Sequence, residues 1–182
     1  MTDSLDEQNG PRYPTRAVVD TCVLLNIALG KNDNGDPDWL SRSEQLIDDA
    51  INGKLILFMP SVALVELSTD HILRAGNTID KNDFRKMKNL AMKWCMNCSL
   101  PIADLTRGAA QWFNKTYCVQ NIRTADACIL ATAHYAKAKI IYTWDDEFRK
   151  KVNYANNEEN IGITAEKPPE LVHHLFTYDP EE

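Results

Sequence analysis

Four acidic residues stand where a carboxylate calls for a physical account: Asp20 in RAVVDTCVLLN, Glu66 in VALVEL, Asp126 in TADACILATA and Asp145 in IIYTWDDEF. An ionised carboxylate taken out of water costs several kcal/mol unless a partner compensates it. Two of the four admit structural accounts. Asp126 lies two residues after the candidate cap Thr124, in a first turn where the helix dipole favours negative charge, and Asp145 could cap the helix DDEFRKKV. Glu66 is harder to place that way, because its neighbours are apolar, and Asp20 has the most apolar surroundings of all. Ile129, Leu130 and Ala133 also carry the face of Asp126 inward. One cation-binding site explains the four more economically than four separate causes. Hard oxygen donors without an accompanying histidine or thiolate point to Mg²⁺ or Mn²⁺ rather than zinc, and the natural chemistry is phosphoryl transfer. Thr21 and Thr143, beside candidate ligands, could orient water or phosphate, or could be β-branched residues that merely flank strands.

The elements needed to bring these residues together can be read from hydrophobic spacing. RAVVD, KLILFM and AKIIYT are short β-branched runs, each followed by a segment with helical periodicity, which predicts an α/β fold on a parallel sheet. Helices are expected over TCVLLNIAL, over DWLSRSEQLIDDAI up to Gly53, and over PSVALVELSTDHILR, closed by Gly76. A further helix, DKNDFRKMKNLAMKWCM, repeats apolar residues at Met87, Leu90, Ala91 and Trp94. LPIAD is a candidate strand and LTRGAAQWFNKTYC a helix with Thr106 near its cap. The clearest unit runs from a helix starting at Thr124 through a strand over residues 139–143 into a short helix. NIGIT is expected as an edge strand and PPELVHHLF as a final amphipathic turn or two. On this scheme Asp20 and Asp145 end strands, while Glu66 and Asp126 sit early in helices. In an open parallel sheet, strand carboxyl ends and helix starts converge on one edge.

The 182 residues suit one domain. MTDSLDEQNG lacks the basic flank and apolar centre of a signal peptide, so residues 1–14 are expected as a disordered leader to a cytoplasmic protein, with no membrane partner. The domain proper would span residues 15–165 and an acidic tail residues 166–182. The net charge of −6 belongs to that end of the chain, since residues 158–182 hold seven acids against Lys167, leaving 19 charges of each sign before them. KNDFRKMKNLAMK and FRKKV are basic enough to meet phosphates, although solvated helix faces explain most such lysines. Cys95 and Cys98 have redox or zinc spacing, but Cys95 falls near the wrong end of its helix for dipole activation and no second ligand pair matches it. The five cysteines read instead as reduced, mostly buried thiols, and His134 as a helix-face residue. No P-loop, G-x-S-x-G or G-x-G-x-x-G occurs.

The segments VVDTCVLLN, VALVELS, TADACILATA and IIYTWDDEF, spread over residues 17–148, resemble those of the PIN-domain nucleases. The specific pieces are the T-A-D-A helix start and, a helix and a strand later, T-x-D-x-x-F. The resemblance implies a three-layer α/β/α sandwich around a central parallel sheet and a metal-dependent endoribonuclease. Its Mg²⁺ or Mn²⁺ would be held by Asp20, Glu66, Asp126 and Asp145, with Thr143 as the hydroxyl residue before the fourth acid. T-x-D spacing favours Asp145 over Asp146. Substrates would be single-stranded or structured RNA. Most small members are toxins of the VapC type, usually homodimers neutralised by an antitoxin. This chain departs from them in its length, its acidic tail and its basic helix around residues 80–97. The rival expectation is a noncatalytic domain of the same fold serving as an RNA-binding or protein-interaction scaffold, which would have lost acidic residues that this chain keeps.

Overall fold

The computed structural model describes residues 13–30, 38–67, 81–116 and 121–171. Residues 1–12 of the expected leader, the polar loop after Gly30, the Gly76 end of the third helix and the last eleven residues of the tail lie outside these, whereas Tyr13, expected within the leader, packs against the core. Five strands form one parallel sheet: β1 (Arg16–Val19), β2 (Ile56–Pro60), β3 (Ile102–Ala103), β4 (Ile140–Tyr142) and β5 (Thr164–Glu166). Among the described residues they are joined by seven helices: α1 (Thr21–Leu29), α2 (Trp39–Ile51), α3 (Ser61–Glu66), α4 (Lys81–Asn97), α5 (Arg107–Phe113), α6 (Thr124–Tyr135) and α7 (Asp146–Glu159). The strand order is β3-β2-β1-β4-β5, so β1 and β4 are neighbours although most of the chain separates them. Ala17 pairs with Ile140, and Val19 with Tyr142.

The pleat of β1 divides the core in two. Ala17 and Val19 join Leu57 and Met59 beneath α1, α2 and α4, whereas Val18 faces Ile129, Leu130, Phe148 and Val152 from α6 and α7. A strand buried on both faces reads as a continuous apolar run, which is why RAVVD shows no alternation. The result is the expected three-layer α/β/α sandwich. No described helix is long and apolar enough to cross a membrane.

Several boundaries differ from expectation for local reasons. The helix after β4 is not short: α7 runs 14 residues, started by Asp145 and closed by Asn160 in the left-handed region at φ 50. That cap and Gly162, at φ 72, occupy the segment expected as strand, so the edge strand begins only at Thr164. Helix α5 starts after Thr106 as expected, whose hydroxyl accepts from Ala109 N at 3.1 Å, but stops at Phe113. On α4 the buried stripe passes through Met87, Ala91, Trp94 and Cys95, while Leu90 is 58% exposed. Spacing of four through Ala91 turns Leu90 about 100° off the stripe. Residues 168–171 form no helix, and the Pro168 and Pro169 carbonyls accept from the Arg42 guanidinium.

Candidate active site

In this strand order the direction of winding reverses between β1 and β4, and a crevice opens beyond the carboxyl ends of those two strands. Asp20 follows β1 and Asp145 follows β4, so the sheet itself brings both to the crevice. Asp20 is only 6% exposed. Its N–H continues the ladder by donating to Tyr142 O at 2.9 Å. Its Oδ1 accepts from Thr21 N at 2.6 Å, which also caps α1. Its Oδ2 accepts from Thr143 Oγ1 at 2.6 Å and from Cys22 Sγ at 3.1 Å. Burial pushes the Asp20 carboxyl up; these three donors oppose that, and the charge of Asp145 adds to it.

The other acids are anchored around it. Glu66 ends α3, and its Oε2 accepts from Thr21 Oγ1 at 2.5 Å. Burial and the Asp20 charge raise it, against the pull of that hydroxyl. Asp145 accepts from Glu147 N at 2.8 Å and Phe148 N at 3.0 Å as the cap of α7, and its own N–H donates to Thr143 Oγ1 at 3.0 Å. Asp126 lies in the first turn of α6, half-buried, and its carboxyl is pushed up to about 7. Burial is the largest cause, followed by the charges of Asp20 and Asp145; Arg123 opposes them and Glu66 adds to them. Asp126 therefore feels the charge of all three other acids. Asp146 is the outward one of the pair, exposed and ion-paired to Arg149 at 2.9 Å.

Both threonines are engaged with carboxylates. Thr143 is fully buried and its hydroxyl serves Asp20 and the Asp145 backbone, while that of Thr21 serves Glu66. Two residues at the site were not legible in the sequence. Cys22 reaches back to Asp20 and accepts from Trp144 N at 3.3 Å, and its thiol is held protonated by burial and the Asp20 charge. Arg123 precedes α6 and spans Asp145 at 3.5 Å and Glu147 at 3.6 Å, with its side chain 66% exposed. An i+2 side chain after a strand-end aspartate, and an arginine one turn before an acid, are faint signals that on their own do not single them out. Cys95, by contrast, is packed in the core beneath α4, where burial pushes its thiol up to about 12, and His134 stacks on Trp112 at 3.9 Å.

As placed, no three described His, Cys, Asp or Glu side chains stand close enough together to hold a metal ion. The chemistry of the donor set nevertheless fits a hard divalent cation. The donors are all carboxylate oxygens, they repel one another, and Asp126 has no hydrogen bond lowering its carboxyl. Fold and site together define an open parallel α/β sheet with an acidic crevice at its switch point. The PIN domain family model matches residues 17–153, and the chain belongs to that family. A solved structure of FitAB bound to an IR36 DNA fragment is similar, with a TM-score of 0.54 and 16% identity over 87% of this chain and 99% of that one. At that identity the likeness is one of fold. No curated protein matches.

Proposed function

We propose that the chain is a Mg²⁺- or Mn²⁺-dependent endoribonuclease whose site is formed by Asp20, Glu66, Asp126 and Asp145, within a unit spanning residues 15–165. The observation that carries this is the gathering of four carboxylates around the crevice beyond β1 and β4, where burial first and then the charges of Asp20 and Asp145 push Asp126 up to about 7. Membership of the PIN family supports it. The four acids would hold the cation, which when bound supplies charge neutralisation at a phosphodiester and a more acidic water. This chain's residues do the rest. Thr21, Thr143 and Cys22 hold Glu66 and Asp20 in place, α7 fixes Asp145 at its N-terminus, and Arg123 offers the crevice mouth a cation for phosphate.

Purified protein should cleave single-stranded RNA with Mn²⁺ or Mg²⁺, stop on EDTA, and leave single-stranded DNA of the same sequence largely intact. Asp20→Asn should lower the rate by at least about 10²-fold while circular dichroism stays unchanged. Undiminished cleavage by that variant would sink the assignment, and no cleavage by the folded wild type would favour the scaffold reading. Membership of the PIN family is compatible with extending the proposal to a toxin held by an antitoxin-type partner, as a homodimer. Expression should then arrest growth, and Asp20→Asn should relieve the arrest.

A further inference from the structure

A groove of about 380 Å³ opens between α5 and the N-terminal half of α6. Leu105, Phe113, Ala127 and Cys128 give it apolar walls, and the exposed amides of Asn114 and Asn121 stand at its rim. It lies beside the acidic crevice, and two of its parts neighbour crevice residues. Ile122 and Thr124, on its wall, flank Arg123, whose guanidinium reaches Asp145. The Cys128 thiol, raised first by burial, also feels the charge of Glu66. Charges of both signs surround it. Arg107 and Lys115 are exposed on the segments that bound the groove, Arg123 is paired with Asp145 and Glu147, and Lys151 Nζ donates to Asn121 O at 2.8 Å; the acids nearby are Asp104, Asp126, Asp145 and Glu147.

We propose that this groove is a nucleobase subsite, taking one unstacked base of the RNA strand whose phosphate lies at the acidic crevice. The inference rests on the nuclease reading for the position of that phosphate. The volume is at the lower end of pockets that enclose a small ligand. A base needs apolar walls for its faces, which Phe113 and its aliphatic neighbours supply, and polar groups for its edge. A carboxamide carries both donors and acceptors, so Asn114 and Asn121 can match a Watson–Crick edge. An apolar peptide side chain would use the walls but leave the amides and the exposed cations of Arg107 and Lys115 without a role. A strand bearing phosphates uses all three.

The test uses the full chain carrying Asp20→Asn, so that RNA is bound and not cut, labelled with ¹⁵N and titrated with rA6, rC6 and rU6. The side-chain amide resonances of Asn114 and Asn121 should shift, and more with one base than the others. Filling the groove by Ala127→Trp should abolish those shifts and weaken binding roughly tenfold, the usual worth of one stacked base. Asn114→Ala, an exposed change that leaves the fold alone, should narrow the differences among the three oligomers. Shifts confined to other residues, equal shifts with inorganic polyphosphate, or unchanged affinity in Ala127→Trp would overturn the subsite. Because binding is read without cleavage, a wild type that never cuts RNA overturns the nuclease reading while the amide shifts still support the subsite. Normal cleavage with a base preference indifferent to both groove variants overturns the subsite alone.

Discussion

Thr143 shows how much of the site hangs on a hydroxyl. Its Oγ1 donates to Asp20 and accepts from the Asp145 backbone, so one buried group couples the acids that follow β1 and β4. Thr143→Val keeps the shape and removes both bonds, leaving Asp20 Oδ2 with Cys22 alone and Asp145 N without its acceptor. A buried polar group stripped of its partner costs about 1–3 kcal/mol. Urea unfolding should show a loss of that size for Thr143→Val and less than about 1 kcal/mol for Thr143→Ser, with cleavage following the same order. Equal stability of the two would mean that the hydroxyl does not couple the strands. At this scale the sequence was only partly legible. Apolar surroundings led to Asp20, Glu66 and Asp126, because an acid there is costly wherever it lies, and strand-end position led to Asp145. What the threonines bond, and that Cys22 and Arg123 take part, depends on side-chain direction across elements, to which a one-dimensional pattern is blind.

Asp145 has an element-scale duty separable from its place in the crevice. Its carboxylate caps α7 through two backbone N–H groups. Helix α7 in turn packs Phe148, Val152 and Ala155 onto the sheet. Asp145→Ser keeps a cap and removes the charge, so stability should hold within a few tenths of a kcal/mol while cleavage collapses. Asp145→Ala should lose about 1 kcal/mol as well as cleavage. Thermal unfolding beside an RNA assay separates the two roles, and retained activity in Asp145→Ser would remove Asp145 from the proposed site. Elements were legible where a continuous apolar run marked a buried strand, as in β1 and β2, or where helical spacing ran long, as in α2 and α6. They were misjudged where one residue decided the boundary. Asn160 in the left-handed region extends α7 and delays β5, and Ala91, too small to dominate a pattern, sets the buried stripe of α4 that excludes Leu90.

For the whole molecule, two groups of acids oppose each other in their response to pH. Asp49 on α2 is 1% exposed and accepts from Tyr13 OH at 2.6 Å, Lys54 Nζ at 2.7 Å and Gln45 Nε2 at 2.9 Å, tying the segment before β1 to α2 and to the turn before β2. Burial alone would raise its carboxyl, but the hydrogen bonds of Lys54, Tyr13 and Gln45 together outweigh it and hold the group below its usual value. Its contribution is therefore present above the usual carboxylate range and fades as the pH falls below it. Asp20, Glu66 and Asp126 run the other way. Their carboxyls are raised in the folded chain, which keeps protons that the unfolded chain has already released, so stability falls as the pH climbs, for Asp126 from 3.8 towards about 7. In chelator the protein should accordingly be most stable on the acid side of neutrality. Asp126→Asn removes part of the repulsion and should gain roughly 1–2 kcal/mol at pH 8, a figure reduced for solvent screening of a half-exposed group, and little at pH 4. Millimolar Mn²⁺, binding the folded state alone, should raise the melting temperature of the wild type at pH 8 and that of Asp126→Asn by less. Melting curves from pH 4 to 9, with and without Mn²⁺, check all of this. A wild-type profile rising steadily to pH 8 in chelator, or an Asp126→Asn variant less stable than wild type there, would show that burial and neighbouring charge do not raise these carboxyls in the folded chain.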